Sequence, residues 1–267
     1  MFYDSKILLS DKTIKFNMPD QIFRKIFGKK PIIGMIHLAG EDPIERALEE
    51  IQIYEEEGLS GILIEDYHSS IDEVINLLEQ LENEKLNLKI GVSILDSKLN
   101  ATNEFRKTLK IAEIYKIDFV KLDYVSGTYY DVEFPVDEYF ELKKNCPNIL
   151  ILAGVQPKYF TATSNLDTDL KQGMERANAL IVTDKKSEEV PLERIQYFRK
   201  IMANHPLIIG ARLKPTNAYE RLIIADGAIV GASLKKDYNT RNKVCRDKVR
   251  ALMNVVDKVL DDQGLIN

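Results

Sequence analysis

Residues 206–236 read PLIIGARLKPTNAYERLIIADGAIVGASLKK, and this stretch decides the fold. Two short apolar runs, Leu207–Gly210 and Ala228–Gly231, each end in a glycine, and a short helical pattern joins them. The stretch therefore predicts a strand–helix–strand unit in which a loop of small residues follows each strand. In (β/α)8 barrels, the loops after the seventh and eighth strands frequently bind phosphate, because small residues let backbone N–H groups approach an anion.

The same unit repeats from Pro31 onward, at intervals of roughly 30 residues typical of βα units. The predicted strands are Ile32–Leu38, Gly61–Glu65, Leu88–Leu95, Phe119–Asp123, Ile149–Gly154, Ala179–Thr183, Leu207–Gly210 and Ala228–Gly231. The helical patterns between and after them are Pro43–Glu57, Ile71–Leu81, Ala101–Tyr115, Val136–Asn145, Leu170–Ala177, Leu192–Asn204, Ala218–Ile224 and Lys243–Leu260. Eight strands, each followed by a helix, predict an α/β protein built as a single (β/α)8 TIM barrel. A doubly wound open sheet is the alternative, but its first turn is glycine-rich, whereas the loop after the first strand here reads HLAGEDP.

The chain divides into a short N-terminal extension, residues 1–28, and the barrel, residues 29–267. Residues 1–18 alternate loosely around a turn-like Ser10-Asp11-Lys12, which suggests a hairpin or an arm outside the barrel. Asp20 then caps a predicted helix, Gln21–Phe27, which Gly28 ends.

Composition narrows the function classes. The net charge of −5 and the pI near 5.5 argue against a general nucleic-acid binder. The chain contains no run of 18 apolar residues and no secretory signal, so we expect no membrane span. Cys146 and Cys245 are far apart and match no metal-binding spacing, which indicates free thiols in a reducing cytoplasm.

Strand alternation predicts which side chains line the barrel interior. Helices cover the outside of the barrel, so the apolar set of each strand faces outward. That phase directs polar side chains inward at the carboxyl ends of the strands, where TIM-barrel active sites lie. These side chains are His37, Glu65, Ser93, Lys121, Asp123 and Thr183.

Each of these residues also has a structural interpretation. His37 could be a satisfied interior histidine, and Glu65 with Lys121 could form an ion pair across the barrel. Burying such charges is costly, however, which favours a functional reason for keeping them. The predicted phosphate site adds residues from the last two loops, namely Gly210, Ala211, Arg212, Gly231, Ala232 and Ser233.

Several segments resemble the BtpA/SgcQ family over roughly residues 29–255. They are KPIIGMIHLAG at 30–40, EEEGLSGILIEDY at 55–67, IGVSIL at 90–95, ALIVTD at 179–184 and ADGAIVGASLKKD at 225–237. The resemblance implies a TIM barrel with His37 and Glu65 in the family's histidine and acidic positions. It also implies two kinds of role, photosystem I biogenesis in cyanobacteria and an enzymatic activity such as nucleosidase in other bacteria.

The chain departs from the family pattern at several strand ends. Lys121 and Asp123 stand where the family usually has arginine and asparagine, and Asp66 replaces an asparagine. The sequence Gly210-Ala211-Arg212 replaces the usual Gly-Ser-Gly, and Thr183-Asp184 replaces Thr-Gly. The loss of two glycines leaves two alternatives for the anion site: Arg212 compensates with a side-chain contact, or the Asp184 carboxylate repels the anion. The pattern is that of a diverged, re-specialised member of the family.

The leading hypothesis is a cytoplasmic enzyme acting on a small phosphorylated or nucleoside-like sugar. Glu65 would be the general acid/base, helped by His37, while Lys121 and Asp123 bind or polarise substrate oxygens. The alternative is a non-catalytic assembly or regulatory factor for a membrane complex. A Schiff-base aldolase using Lys121 ranks lower, because Asp123 would raise the pKa of that lysine.

The sequence identifies no cofactor, and His37, Glu65 and Asp123 are the side chains that would ligate a divalent metal if one bound. It leaves the oligomeric state open, with a homo-oligomer as one arrangement.

Overall fold

The computed structural model describes residues 20–95, 104–130, 132–158, 160–184 and 188–265. The hairpin or arm predicted for residues 1–18 lies outside them. Eight parallel strands close into a barrel in sequential order, so the (β/α)8 prediction is confirmed. The barrel strands are β1 (Ile32–Ile36), β2 (Gly61–Glu65), β3 (Lys89–Ser93), β4 (Phe119–Leu122), β7 (Leu150–Gly154), β8 (Ala179–Val182), β9 (Leu207–Ile209) and β10 (Gly227–Val230). Two further strands, β5 (Thr128–Tyr129) and β6 (Val132–Glu133), pair as a small antiparallel hairpin after β4.

Helices follow the strands at the predicted places. Residues 20–27 form helix α1. The others are α2 (Pro43–Glu56), α3 (Ile71–Leu81), α4 (Glu104–Tyr115), α5 (Val136–Lys144), α6 (Leu166–Arg176), α7 (Leu192–Met202), α8 (Pro215–Leu222) and α9 (Arg246–Asp262). Two short 3-10 helices, Ala232–Leu234 and Lys236–Tyr238, lie between β10 and α9. Among the described residues, no helix is long and apolar enough to cross a membrane.

Three helix starts within the described residues differ from the prediction for local reasons. Helix α6 begins at Leu166 rather than Leu170, because the Asn165 side chain caps it by accepting the N–H groups of Asp167 and Thr168. Helix α8 begins at Pro215 rather than Ala218, because proline in the first turn sacrifices no intrahelical hydrogen bond. Helix α9 begins at Arg246 rather than Lys243, because Val244 bridges to Lys235 and its N–H donates to the Glu50 carboxylate at 3.2 Å.

The predicted inward and outward alternation is confirmed by two separate apolar clusters. The outer cluster lies between strands and helices and contains Ile36, Leu38, Ile62, Ile64, Val92, Ile94, Val120 and Leu122. The inner cluster fills the barrel and contains Ile33, Leu63, Phe119, Leu152 and Ile208. The polar residues that follow in the inner phase therefore lie at the top of the barrel interior.

Helix α1 closes the opposite end of the barrel. Phe23 and Phe27 are buried and pack with the inner cluster. The Phe27 ring lies 5.2 Å from the Phe119 ring in an edge-on arrangement. Phe119 in turn needs Gly91 on the neighbouring strand, because a Cβ there would lie 2.2 Å from the Phe119 ring. With its bottom filled by aromatic rings, the barrel opens only toward the carboxyl ends of its strands within the part of the chain that the structure describes.

Candidate active site at the barrel mouth

A lysine bridges two carboxylates at the mouth of the barrel. Lys121 on β4 places its Nζ 2.5 Å from Asp123 Oδ1 and 3.4 Å from Glu65 Oε1 at the end of β2. Strand β3 separates β2 from β4, so the contact spans the interior. The side chain of Glu65 is 4 % exposed, and those of Lys121 and Asp123 are 18 % and 15 % exposed. The two partly accessible groups therefore lie on the solvent side of the buried carboxyl.

Burial dominates the electrostatics of Glu65. Loss of solvent raises the pKa of its carboxyl, the Lys121 ammonium opposes that rise, and the Asp123 carboxylate adds to it. A carboxyl whose pKa is raised holds its proton to a higher pH than an ordinary carboxyl, which suits it to donate a proton as well as to accept one. Lys121 offers a fixed positive charge beside it, which suits an oxygen that becomes negative during a reaction.

His37 lies under the loop that follows β10. A Cβ at Gly231 would lie 2.8 Å from Met35 Sδ and 2.9 Å from His37 Cε1, so only glycine permits this close packing. The ring is buried, and burial together with the positive charge of Lys235 holds the pKa of His37 well below its usual range. The imidazole is therefore neutral at neutral pH. Its Nδ1 is buried and has no hydrogen-bond partner among the described residues.

A buried ion pair places the Lys235 charge that acts on His37. Lys235 Nζ lies 2.8 Å from both carboxylate oxygens of Glu50 on α2, and neither side chain is more than 4 % exposed. On the solvent side, the rings of Tyr67 and His68 lie 5.5 and 6.4 Å from the His37 ring. His68 Nε2 is 2.8 Å from Thr240 Oγ1, which links the loop after β2 to the loop after β10.

Lys158 is a site residue that the sequence analysis missed. It follows β7, and its backbone N–H donates to Thr183 Oγ1 at 3.2 Å. Burial lowers the pKa of its amine, the charge of Lys121 lowers it further, and Glu65, Tyr67 and Asp123 oppose the shift. Lys158 therefore faces the same groups that Lys121 joins. The only sequence signal for it is a basic residue just past the end of a strand, in GVQPK at 154–158.

The remaining inner-phase residues have structural partners or positions of their own. Ser93 is buried at the end of β3, opposite Glu65 in the β2–β3 register. The Thr183 hydroxyl is used by the Lys158 backbone, as described above. The Asp66 carboxylate accepts the N–H of Leu95 at 2.7 Å and so ties the loop after β2 to the end of β3.

The loop after β9 carries two basic residues, Arg212 and Lys214, and of the two only Lys214 is held in an ion pair with a described residue. Lys214 Nζ lies 2.6 Å from Glu189 Oε1, and Asn217 Nδ2 donates to Glu189 Oε2 at 2.9 Å. The guanidinium of Arg212, by contrast, makes no hydrogen bond or ion pair to any residue that the structure describes. Arg212 has a φ of +51°, an uncommon conformation for a residue with a Cβ. Its backbone is held there by Asn217 Nδ2, which donates to the Arg212 carbonyl at 3.1 Å.

The small residues of the predicted phosphate site differ in what they offer. The N–H of Gly210 donates to the Val182 carbonyl at 2.9 Å, and a Cβ there would lie 2.4 Å from Ile181. Gly210 therefore serves strand packing, and Ala211 is buried in the outer apolar cluster. Ala232 and Ser233 begin a 3-10 helix, whose first N–H groups have no acceptor within the helix.

A metal centre at the barrel mouth would need several His, Cys, Asp or Glu side chains held close together. Within the described ranges, no group of three or more His, Cys, Asp or Glu side chains is placed to hold a metal ion. Between Glu65 and Asp123 lies the Lys121 ammonium, which would repel a cation from these two carboxylates. The described side chains are suited to proton transfer and to stabilising a negatively charged oxygen.

Comparison with known proteins agrees with this fold. The model of the BtpA family matches residues 28–258. An uncharacterized protein of Methanocaldococcus jannaschii is 26 % identical over 262 residues, covering 88 % of this chain and 98 % of its own. The Photosystem I biogenesis protein BtpA of Synechocystis is 22 % identical, covering 88 % and 91 %.

Among solved structures, the tryptophan synthase alpha subunit of Legionella pneumophila superposes with a TM-score of 0.61 at 14 % identity, covering 91 % of this chain and 98 % of its own. At that identity the likeness concerns the fold alone. The family match, in contrast, spans the barrel strands and the helices between them, from just before β1 into α9. The chain is a member of the BtpA family.

Proposed function

We propose that this protein is a cytosolic enzyme that acts on a small phosphorylated or nucleoside-like sugar, with chemistry of the nucleosidase, lyase or isomerase type. The observation that carries the proposal is the Lys121 ammonium held between Glu65 and Asp123 at the open end of the barrel. Burying a carboxyl and an ammonium costs free energy that a purely structural barrel would not need to spend.

In this proposal Glu65 is the general acid/base. Its raised pKa lets it keep its proton to a higher pH than an ordinary carboxyl, which suits it to donate to a leaving oxygen and later accept a proton. Lys121 and Asp123 bind and orient substrate oxygens, and Lys121 stabilises negative charge on them. His37, being neutral, serves as a hydrogen-bonding partner rather than as a cation.

The substrate's phosphate would lie between the loops after β9 and β10. Arg212 supplies a planar fork with donors suited to phosphate oxygens. The N–H groups of Ala232 and Ser233 and the Ser233 hydroxyl are the remaining proposed donors. This is the end of the barrel at which TIM-barrel enzymes commonly hold phosphate.

A second candidate is a non-catalytic assembly factor, which the name of the Synechocystis relative favours. A protein-binding barrel would use its surface, for example the exposed Tyr130 on the hairpin after β4. It would have no use for a buried, raised-pKa carboxyl beside a lysine.

A thermal-shift series separates the two candidates. Wild-type protein would be heated with inorganic phosphate, sugar phosphates, the matching unphosphorylated sugars and nucleosides. A ligand that binds the folded state raises the melting temperature, and the rise grows with the logarithm of the ligand concentration once this exceeds Kd. The enzyme proposal expects at least one sugar phosphate or nucleoside to do so, and loss of a sugar-phosphate shift in Arg212→Ala would locate the phosphate site. A flat response to the whole panel would favour the assembly role.

A further inference from the structure

Three buried polar atoms in and around the loops after β1 and β2 have no hydrogen-bond partner among the residues that the structure describes. They are His37 Nδ1, Arg46 Nη2 and Ser69 Oγ. His37 is 3 % exposed, and the side chain of Arg46 is 12 % exposed. A buried polar atom without a partner costs free energy, and nearly all such atoms in native proteins are satisfied by protein, water or a ligand. Three of them in one region therefore indicate a site that binds a polar ligand.

Arg46 is fixed beside the loop that carries His37. Its Nη1 donates to the Ala39 carbonyl, two residues after His37, at 3.1 Å, and to the Arg241 carbonyl at 2.8 Å. Its Nε donates to Glu50 Oε1 at 3.3 Å. These bonds hold the guanidinium in place on two of its three nitrogens. The third, Nη2, is thus a fixed donor close to the end of β1.

The loops after β2 and β10 close the other side of this region. The His68 ring lies 6.4 Å from the His37 ring, and His68 Nε2 is 2.8 Å from Thr240 Oγ1. Ser69 follows His68 directly. The carbonyl that accepts from Arg46 belongs to the residue after Thr240, so one segment of the loop after β10 contacts both His68 and Arg46. The three unpartnered atoms therefore lie on segments that this circuit of contacts joins.

The charge of the region is positive. Lys235 and Arg46 share one carboxylate, that of Glu50, so one positive charge of the group is left over. Burial lowers the pKa values of His37 and His68, and the charges of Lys235 and Arg46 lower them further. A water molecule would satisfy the donors and leave the buried charge without compensation, whereas an oxyanion satisfies both.

We propose that His37, Arg46 and Ser69 form a binding site for a small oxyanion, a phosphate group or one of similar size and charge, beneath the loop after β10. Arg46 Nη2 and the Ser69 hydroxyl donate to its oxygens, and His37 donates from Nδ1. A neutral imidazole with its proton on Nδ1 has a lone pair on Nε2, and Nε2 lies on the Gly231 side of the ring. The bound anion thus fixes the tautomer in which His37 accepts a hydrogen bond at Nε2. The site is separate from the Arg212 phosphate site and does not rest on the proposed function.

The loop after β10 provides the way in. Its segment 240–241 is held over the site by the hydrogen bonds to His68 and Arg46. Intramolecular hydrogen bonds contribute little net stability, so an anion that forms charge-assisted bonds can displace the segment.

Imidazole NMR on the full chain tests this site. The chain has three histidines, so ¹⁵N-histidine labelling gives signals from His37, His68 and His205 alone. Inorganic phosphate would be titrated at pH 7, and sodium chloride at matched ionic strength would be the salt control. His205 is the internal control, because its Nε2 is likewise buried with no partner in the described part of the chain, yet it lies just before β9 at the closed end of the barrel.

We expect a saturable shift of the His37 ring signals with the proton on Nδ1, and no shift of His205. Ser69→Ala and Arg46→Lys should each weaken phosphate binding roughly tenfold to a hundredfold, the scale of a lost hydrogen bond to a charged group, and Arg212→Ala should leave it unchanged. The proposal is overturned by a His37 response no larger than that to sodium chloride, by an unprotonated Nδ1 at saturation, by loss of the shift in Arg212→Ala, or by unchanged binding in Ser69→Ala. The wild-type titration and Ser69→Ala decide the matter even if Arg46→Lys fails to fold.

Two sugar phosphates identify the source of the oxyanion. Fructose 6-phosphate and fructose 1,6-bisphosphate differ by one phosphate group. Tighter binding of the bisphosphate that Ser69→Ala removes would assign the site to a second phosphate of a substrate, and equal binding of the two, with His37 still shifted by inorganic phosphate, would assign it to the free anion. Both results support the site. If no sugar phosphate binds while inorganic phosphate shifts His37, the proposed function loses its support and this site stands. If sugar phosphates bind and His37 does not respond, only this site is overturned.

Discussion

Lys121 Nζ lies 3.4 Å from Glu65 Oε1, so an ammonium on β4 faces a buried carboxyl on β2 across the mouth of the barrel. The attraction between them lowers the pKa of Glu65, yet the effect of burial is larger and the pKa is raised on balance. A nearby opposite charge thus fails to restore ordinary carboxyl behaviour. Because the pKa of Glu65 differs between the folded and unfolded chain, its protonation affects the free energy of unfolding and can be followed by experiment.

The first prediction concerns stability and pH in Glu65→Gln. Because the pKa of Glu65 is higher in the folded chain than its ordinary value of 4.5, the folded state binds more protons just above that pH. The stability that Glu65 contributes is therefore complete below pH 4.5 and is lost as pH rises through the folded-state pKa. Glutamine has no such loss, so the free energy of unfolding of Glu65→Gln should rise relative to wild type over that interval and then level off.

Urea unfolding of both proteins at a series of pH values measures this difference directly. Effects of other titrating groups cancel in the comparison as far as the substitution leaves them unchanged. A difference that is constant from pH 4 to pH 8, or that changes in the opposite direction, would show that the Glu65 pKa is not raised.

The second prediction uses His205, which is buried before β9. Burial and the Arg199 charge lower its pKa to about 4. In an NMR titration its ring should therefore change protonation near pH 4, as far as the protein stays folded, and His37 should stay neutral from pH 5 to pH 8. The unfolded chain takes up these protons near pH 6.5, so the contribution to stability is present above that pH and falls as pH drops from 6.5 toward 4. A His205 midpoint near 6.5 would contradict the buried placement.

The third prediction tests the closure of the barrel by α1. Phe27→Ala removes a buried ring from the inner cluster and should destabilise the protein by roughly 3–5 kcal/mol. Phe140→Ala is the matched control, because Phe140 is 38 % exposed on α5. Urea unfolding measures both. Equal small losses in the two variants would mean that α1 does not fill the barrel bottom.

The fourth prediction compares two basic residues of one loop. Arg212→Ala should weaken the binding of a phosphorylated ligand by roughly 1.5–3 kcal/mol, the scale of hydrogen bonds to charged groups. Lys214→Ala should change it little, because Glu189 already holds that ammonium. Isothermal titration calorimetry gives both values. If Lys214→Ala is the more damaging substitution, or neither has an effect, the anion site lies elsewhere.

The sequence predicted the barrel because its signal is periodic and local. Alternation in GMIHL and GILIED is enough to predict that His37 and Glu65 face the barrel interior. The only further assumption in that prediction is that helices cover the outer face of the barrel, so that the apolar residues of each strand point outward.

Features built by loops escaped prediction. The position of Lys158 is set by the left-handed backbone of Gln156 and by a hydrogen bond to the Thr183 hydroxyl on another strand. Neither feature produces a periodic pattern in the sequence. The hairpin of β5 and β6 has strands of two residues each, too short for an alternation signal. Glu49 and Glu50 are adjacent glutamates on α2, yet only Glu50 is buried, because a distant lysine, Lys235, reaches it. Contacts of this kind follow from the closed fold rather than from either segment alone.

The most direct test of the central claim is a ³¹P NMR assay of the sugar-phosphate panel with wild-type protein and with Glu65→Gln. If Glu65 is the general acid/base, wild type should convert at least one compound to a new phosphorus signal. The variant should bind that compound but convert it on the order of 10²–10⁴ times more slowly, the usual contribution of acid–base catalysis. A compound that binds at the barrel mouth and is left unchanged by wild type, or is converted equally by both proteins, would contradict the account.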